Sequence, residues 1–203
     1  GLELVGVSQS LPLWNQGDYE RIMDILDDHA ERLSTIDQEL TTTLACSGKG
    51  ASNRNDAQKE HLLQVWTEVS SLFDSLDQKV TYQNTGDLQS DLDNLTENLE
   101  EDILVLSPNL HALLSAKIDP IAYIKENGDL VGSLHIRDYH IDGERTIALG
   151  DGDLPFDQLK TVIGEIEFDG DILEIVAERK IPKHLKKGVM ARGVPNILQI
   201  VVL

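Results

Sequence analysis

Ile22-Met23-Asp24-Ile25-Leu26-Asp27-Asp28-His29-Ala30-Glu31-Arg32-Leu33-Ser34-Thr35-Ile36 is the stretch on which the expected fold turns. Ile22, Leu26, His29, Leu33 and Ile36, continued by Leu40 and Thr43, recur in alternating steps of four and three residues. That spacing lays one apolar stripe along a helix and is the a/d seam of a heptad repeat. Ile25, Ala30 and Leu44 widen the stripe, while Asp24, Asp27, Asp28, Glu31, Arg32 and Glu39 fill the other faces. With Asp18 as N-cap, one helix is expected from Asp18 to Leu44.

The pattern returns twice downstream. After a polar, glycine-rich connector at 47–55, Leu62, Trp66, Val69, Phe73, Leu76 and Val80 form a second seam and predict a helix over 56–80. Leu88, Leu92, Leu95, Leu99, Ile103 and Leu106 predict a third over 87–106. Ser107-Pro108 reads as the N-cap and first residue of a short helix ending near Lys117. Helices with wide apolar stripes must bury them against one another, the rest of the chain or another chain, and heptad spacing favours near-parallel packing.

From Asp119-Pro120 the character changes. Residues 121–126 read as a strand, Asn127-Gly128 as a hairpin turn and 130–139 as the partner strand. Residues 145–149 follow as another strand. Residues 164–168 and 172–179 read as a further hairpin, and 198–203 as a last apolar strand. The expected fold is therefore α+β: an N-terminal antiparallel bundle of three long heptad-patterned helices, then a C-terminal antiparallel β-sheet or small barrel of about six strands. The expected division is an extension over 1–17, a helical-bundle or coiled-coil domain over 18–117, and a β-rich domain over 118–203.

The chain carries a formal charge of -19, concentrated in residues 1–106, which hold 21 acids and 6 bases. Such a chain repels nucleic acid and anionic membranes as a whole. No run approaches the roughly 20 apolar residues of a membrane span. The N-terminal residues, Gly1 to Val7, lack the basic region of a signal peptide. The single cysteine, Cys46, excludes an intrachain disulfide and fits a reducing compartment, so an intracellular, cytoplasmic location is expected.

Motifs of chemistry are few. Ser47-Gly48-Lys49-Gly50 has neither the earlier glycine nor the Ser or Thr of a phosphate loop, and a predicted helix precedes it. His135 and His140 lie five apart in a predicted strand and so face opposite sides, whereas Asp138 and His140 share a face. Asp151, Asp153 and Asp157 crowd one loop, but Pro155, Phe156 and Val162 break the EF-hand pattern, which leaves turn formers. No cofactor and no metal centre is expected. Arg179, Lys180, Lys183, Lys186, Lys187 and Arg192 form a basic run without an acid among them.

The leading expectation is a non-catalytic interaction or assembly subunit with a protein partner or a second copy of itself. Ile22, Leu26, His29, Leu33, Ile36, Leu62, Trp66, Val69 and Phe73 would line its helical interface, and the β module would offer a second surface. Two other functions stay open. One is an enzyme with a carboxylate/His site in the β half. The other is binding of phosphate or nucleic acid through the basic segment 179–192.

Overall fold

Gly6–Leu11, ahead of the first predicted helix, is a strand, β1. It pairs in parallel with β2, Thr41–Cys46, which pairs in parallel with β3, Lys79–Gln83. A short extended segment at Leu106 continues the sheet, bridging Tyr82 on one side and Val131 on the other, again in parallel. Two more strands, β4 (Ser133–Ile136) and β5 (Asp171–Glu174), are parallel to each other. These elements come from a computed structural model that describes residues 6–36, 40–48, 53–85, 87–138 and 151–174.

Among the described residues, six helices join the strands: α1 (Tyr19–Ser34), α2 (Asp56–Ser75), α3 (Gln89–Asn98), α4 (Leu110–Ser115), α5 (Pro120–Glu126) and α6 (Phe156–Glu165). Each strand neighbours the next one in the chain, and the order never reverses. Right-handed crossovers in an unreversed order put every helix on the same face of the sheet. The other face is then left to curl on itself, as the strands of a barrel do.

The helix-side core explains the seams. Ile22, Leu26, Ala30 and Leu33 of α1 are buried, as are Leu62, Val65, Trp66, Val69 and Phe73 of α2. Trp66 meets Tyr82 of β3 edge-on, ring centroids 5.2 Å apart, and donates its indole N–H to the Ile103 carbonyl at 3.0 Å. The stripes are real, but they lie on a sheet. A stripe at helical spacing records that one face is covered and carries no information on whether a helix or a sheet covers it.

The expected bundle plus antiparallel sheet is thus corrected to a parallel sheet with helices on one face. The predicted helices each ran too far. The first ends at Ser34, and Thr41-Thr42-Thr43 begins β2, as β-branched residues favour. The second ends at Ser75 and Val80 lies in β3, while Leu106 lies in the extended segment. In each case the final seam residue belongs to the following buried strand. One residue of each strand falls in register with the preceding seam, so the stripe reads on into the strand without a break.

The predicted strand 121–126 is α5. Asp119 caps it by accepting the Ile121 N–H at 2.9 Å, and Pro120 sits at its start. Asn127-Gly128 leads into a 3-10 turn, Gly128–Leu130, rather than a hairpin. The expected strand at 164–168 is the end of α6 and the turn after it. The expected strands over 145–149 and 198–203 lie outside the described residues. Among the described residues, no helix is long and apolar enough to cross a membrane.

Candidate active site at the carboxyl ends of the strands

Strand alternation sorts side chains between the two faces. Leu44, Cys46, Val80, Tyr82, Leu106, Leu134 and Ile136 belong to the main apolar core. Their neighbours Thr43, Thr81, Gln83, Ser107, Ser133 and His135 therefore occupy the face opposite the described helices. All six are nonetheless buried, which the curvature of the sheet explains. This face is polar, and its hydroxyls pair across strands. Thr81 donates to Thr43 at 3.1 Å, and the Ser107 and Ser133 hydroxyls lie 2.6 Å apart.

A local irregularity aims β4. The Gly132 N–H bonds the Leu106 carbonyl at 3.0 Å, and the His135 N–H bonds the Pro108 carbonyl at 2.9 Å. Three residues on one side thus match two on the other, as in a β-bulge. Side-chain-free backbone is needed here. A Cβ on Gly132 would lie 2.4 Å from Val105 Cγ1, and one on Gly170 would lie 2.0 Å from the Gly132 carbonyl oxygen. After the bulge, Ser133 and His135 face inward together.

His135 is the unusual residue of this face. It is 1% exposed, and neither ring nitrogen has a hydrogen-bond partner. Burial lowers its pKa to about 4, which keeps the ring neutral near pH 7. Gln83, two strands away, also buries a side-chain nitrogen without a partner. Buried polar atoms of this kind are rare and need a reason, such as a ligand or ordered water.

The loops at the same ends of the strands are firmly held. The Asn84 carboxamide accepts the Asn109 N–H at 2.8 Å and donates to the Asn109 carbonyl at 3.4 Å. The Trp14 indole donates to the Ser47 carbonyl at 3.0 Å, and the Ser10 hydroxyl to the Ser47 hydroxyl at 2.6 Å. Behind β2 and β3, the fully buried Arg54 guanidinium pairs with Asp87, which also accepts the Tyr82 hydroxyl at 2.8 Å. Lys59 and Asp91 lie 3.0 Å apart beside it. Cys46 lies in this cluster, and burial pushes its thiol pKa up, away from a reactive thiolate.

The residues singled out from the sequence fare differently. Asp138 is buried, and its carboxylate accepts the N–H groups of Gly152 at 3.0 Å and Leu154 at 3.2 Å. It anchors the loop ahead of α6. His140 and the whole basic segment 179–192 lie outside the described residues. Ile22, Leu26, Leu33, Leu62, Trp66, Val69 and Phe73 are buried within the chain, His29 lies 3.3 Å from the Thr42 hydroxyl, and Ile36 is exposed. His135 was visible in the sequence, and one signal pointed to it: its alternation with Leu134 and Ile136. From the sequence, the strand around it reads as half of an antiparallel hairpin, and that reading hides its position at the end of a parallel strand.

No protein-family model and no curated protein matches the sequence. Solved structures do match. A sugar phosphate isomerase/epimerase from Parabacteroides distasonis superposes with a TM-score of 0.66 at 12% identity, over 88% of this chain and 66% of that one. A xylose isomerase domain protein from Planctomyces limnophilus gives 0.69 at 16%, over 88% and 65%. The IolI protein with a binding zinc atom gives 0.69 at 14%, over 84% and 66%. The fold is shared with sugar isomerases and epimerases. At these identities the likeness is one of fold, and the chain spans just under two thirds of each of these neighbours.

The expectation of a non-catalytic, coiled-coil assembly subunit is overturned by these findings. Its helical seams are the inner faces of crossover helices, and the matching folds carry enzyme names.

Proposed function

We propose that the chain carries the site of an enzyme that moves protons on a small carbohydrate-like substrate, as isomerases and epimerases do. The observation that carries this is His135: buried at the carboxyl end of a parallel strand, with both ring nitrogens unpartnered. Barrels of parallel strands place their chemistry at that end, because loops from many strands converge there. The fold neighbours' names support the substrate class.

The chemistry follows from the neutral ring. A neutral imidazole has one N–H and one bare nitrogen. Its bare nitrogen can take the proton from the carbon beside a substrate carbonyl and return it to the same or the adjacent carbon, while a hydroxyl donor stabilises the negative charge that develops on the carbonyl oxygen. Ser107 and Ser133 hold each other beside it and can turn their hydroxyls to substrate hydroxyls. The structure of one neighbour contains zinc. Zinc takes three or four His, Cys or carboxylate ligands. Among the described residues no such group of three exists, so the described donors do not by themselves fit zinc.

Incubation with aldoses and ketoses in deuterium oxide, followed by proton NMR, tests the proposal. Exchange of a carbon-bound proton next to a carbonyl is expected, and His135→Gln should slow it by about a hundredfold or more with the fold intact. Exchange that is unchanged in the variant, or that occurs with no sugar, would overturn it.

A further inference from the structure

We infer that this site holds its ligand through neutral hydrogen-bonding groups, Gln83, Ser107, Ser133 and His135, rather than through a divalent cation, and that the ligand is a polyhydroxylated molecule bound directly. The inference rests on the reading of His135 given above and takes the disagreement with the zinc-bearing neighbour as its starting point.

The four groups lie on adjacent segments of the sheet. Gln83 closes β3, Ser107 follows the Leu106 segment and bonds the Tyr82 carbonyl through its N–H at 2.8 Å, and Ser133 and His135 lie on β4. At about 4.8 Å per strand they span roughly 10 Å, the scale of a single sugar ring with its hydroxyls. One imidazole, one carboxamide and two hydroxyls bring no negative charge. Hard cations such as magnesium and manganese require carboxylates, and zinc requires thiolate, imidazole or carboxylate in number.

The charged groups that follow His135 in the chain are engaged elsewhere. The carboxylate that follows His135 in the chain, Asp138, is committed to the N–H groups of Gly152 and Leu154. The cation between them, Arg137, acts on His111, whose pKa is lowered first by burial and second by that positive charge. A sugar, by contrast, suits the inventory. Each of its hydroxyls both donates and accepts, so it can satisfy the unpartnered nitrogens of Gln83 and His135 without leaving a charge buried.

The test uses the purified chain dialysed against EDTA. Zinc and manganese are titrated alone by calorimetry, and free pentoses and hexoses are titrated separately by saturation-transfer NMR. The expected result is sugar binding that changes less than about twofold on adding either metal, and that weakens about tenfold or more in Gln83→Leu. Ser107→Ala, a smaller change, should weaken it several-fold and guards against a Gln83 variant that fails to fold. One zinc or manganese bound per chain and lost in His135→Ala would overturn the inference. So would sugar binding that appears only with metal, or no sugar binding under either condition. Metal-independent binding without proton exchange would remove the isomerase proposal and leave this inference standing. Metal-dependent exchange would do the reverse.

Discussion

The two faces of the sheet are built on opposite principles. The helix-covered face packs Trp66, Phe73, Tyr82, Leu95 and their neighbours into one apolar core. The curled face buries Thr43, Thr81, Gln83, Ser107, Ser133 and His135, and leaves polar atoms of Gln83 and His135 without partners. The first face supplies stability through apolar area removed from water. The second gives up stability, since each unpartnered buried polar atom costs about 1–3 kcal/mol. A face that sacrifices stability in this way is where function is found.

The largest test strikes the helix-covered side at its polar clamp. Arg54→Ala strands the buried Asp87 carboxylate and should cost about 3–5 kcal/mol in denaturant unfolding. Trp66→Ala should cost a similar amount, about 3–5 kcal/mol, through the cavity it leaves against Tyr82.

The curled face should answer to pH instead. The folded-state pKa of His135 is depressed to about 4, below the ordinary value of 6.5. The unfolded chain therefore takes up its proton first as pH falls. Its share of stability is full above pH 6.5 and is lost progressively down to about pH 4, by roughly 3 kcal/mol. His135→Leu removes that share of the pH dependence, which melting curves at pH 7 and pH 4.5 would reveal. At pH 7 the same variant should be more stable than the parent by about 1–3 kcal/mol while losing proton exchange. A destabilised variant would break the contrast between the faces.

Smaller effects sharpen it. Asn84→Ala removes the double bond to the Asn109 backbone and should cost about 1–2 kcal/mol, with a larger fractional loss of ligand binding than of stability. Ile36→Ser, at an exposed end of the α1 stripe, should change unfolding free energy by less than about 0.5 kcal/mol.

The contrast also explains what could be read in advance. The buried stripe positions Ile22, Leu26, Leu33, Leu62, Trp66, Val69 and Phe73 were legible, because burial leaves a period in the sequence. The strand ends were not. Thr43 of β2 and Val80 of β3 fall in register with the seams of the preceding helices, so the spacing alone shows no break where helix becomes strand. Asn127-Gly128 followed hairpin chemistry, yet the Asp119-Pro120 cap placed a helix before it.

The sequence by itself determined which residues leave water and that α1 and α2 are amphipathic helices, since both follow from local periodicity. Only the tertiary structure decided that those helices lie on a parallel sheet and that Gln83, Ser107 and His135 meet on one face. The reason is physical. Pairing between parallel strands joins residues separated by whole crossover helices, and the direction of that pairing leaves no trace in the spacing of apolar residues.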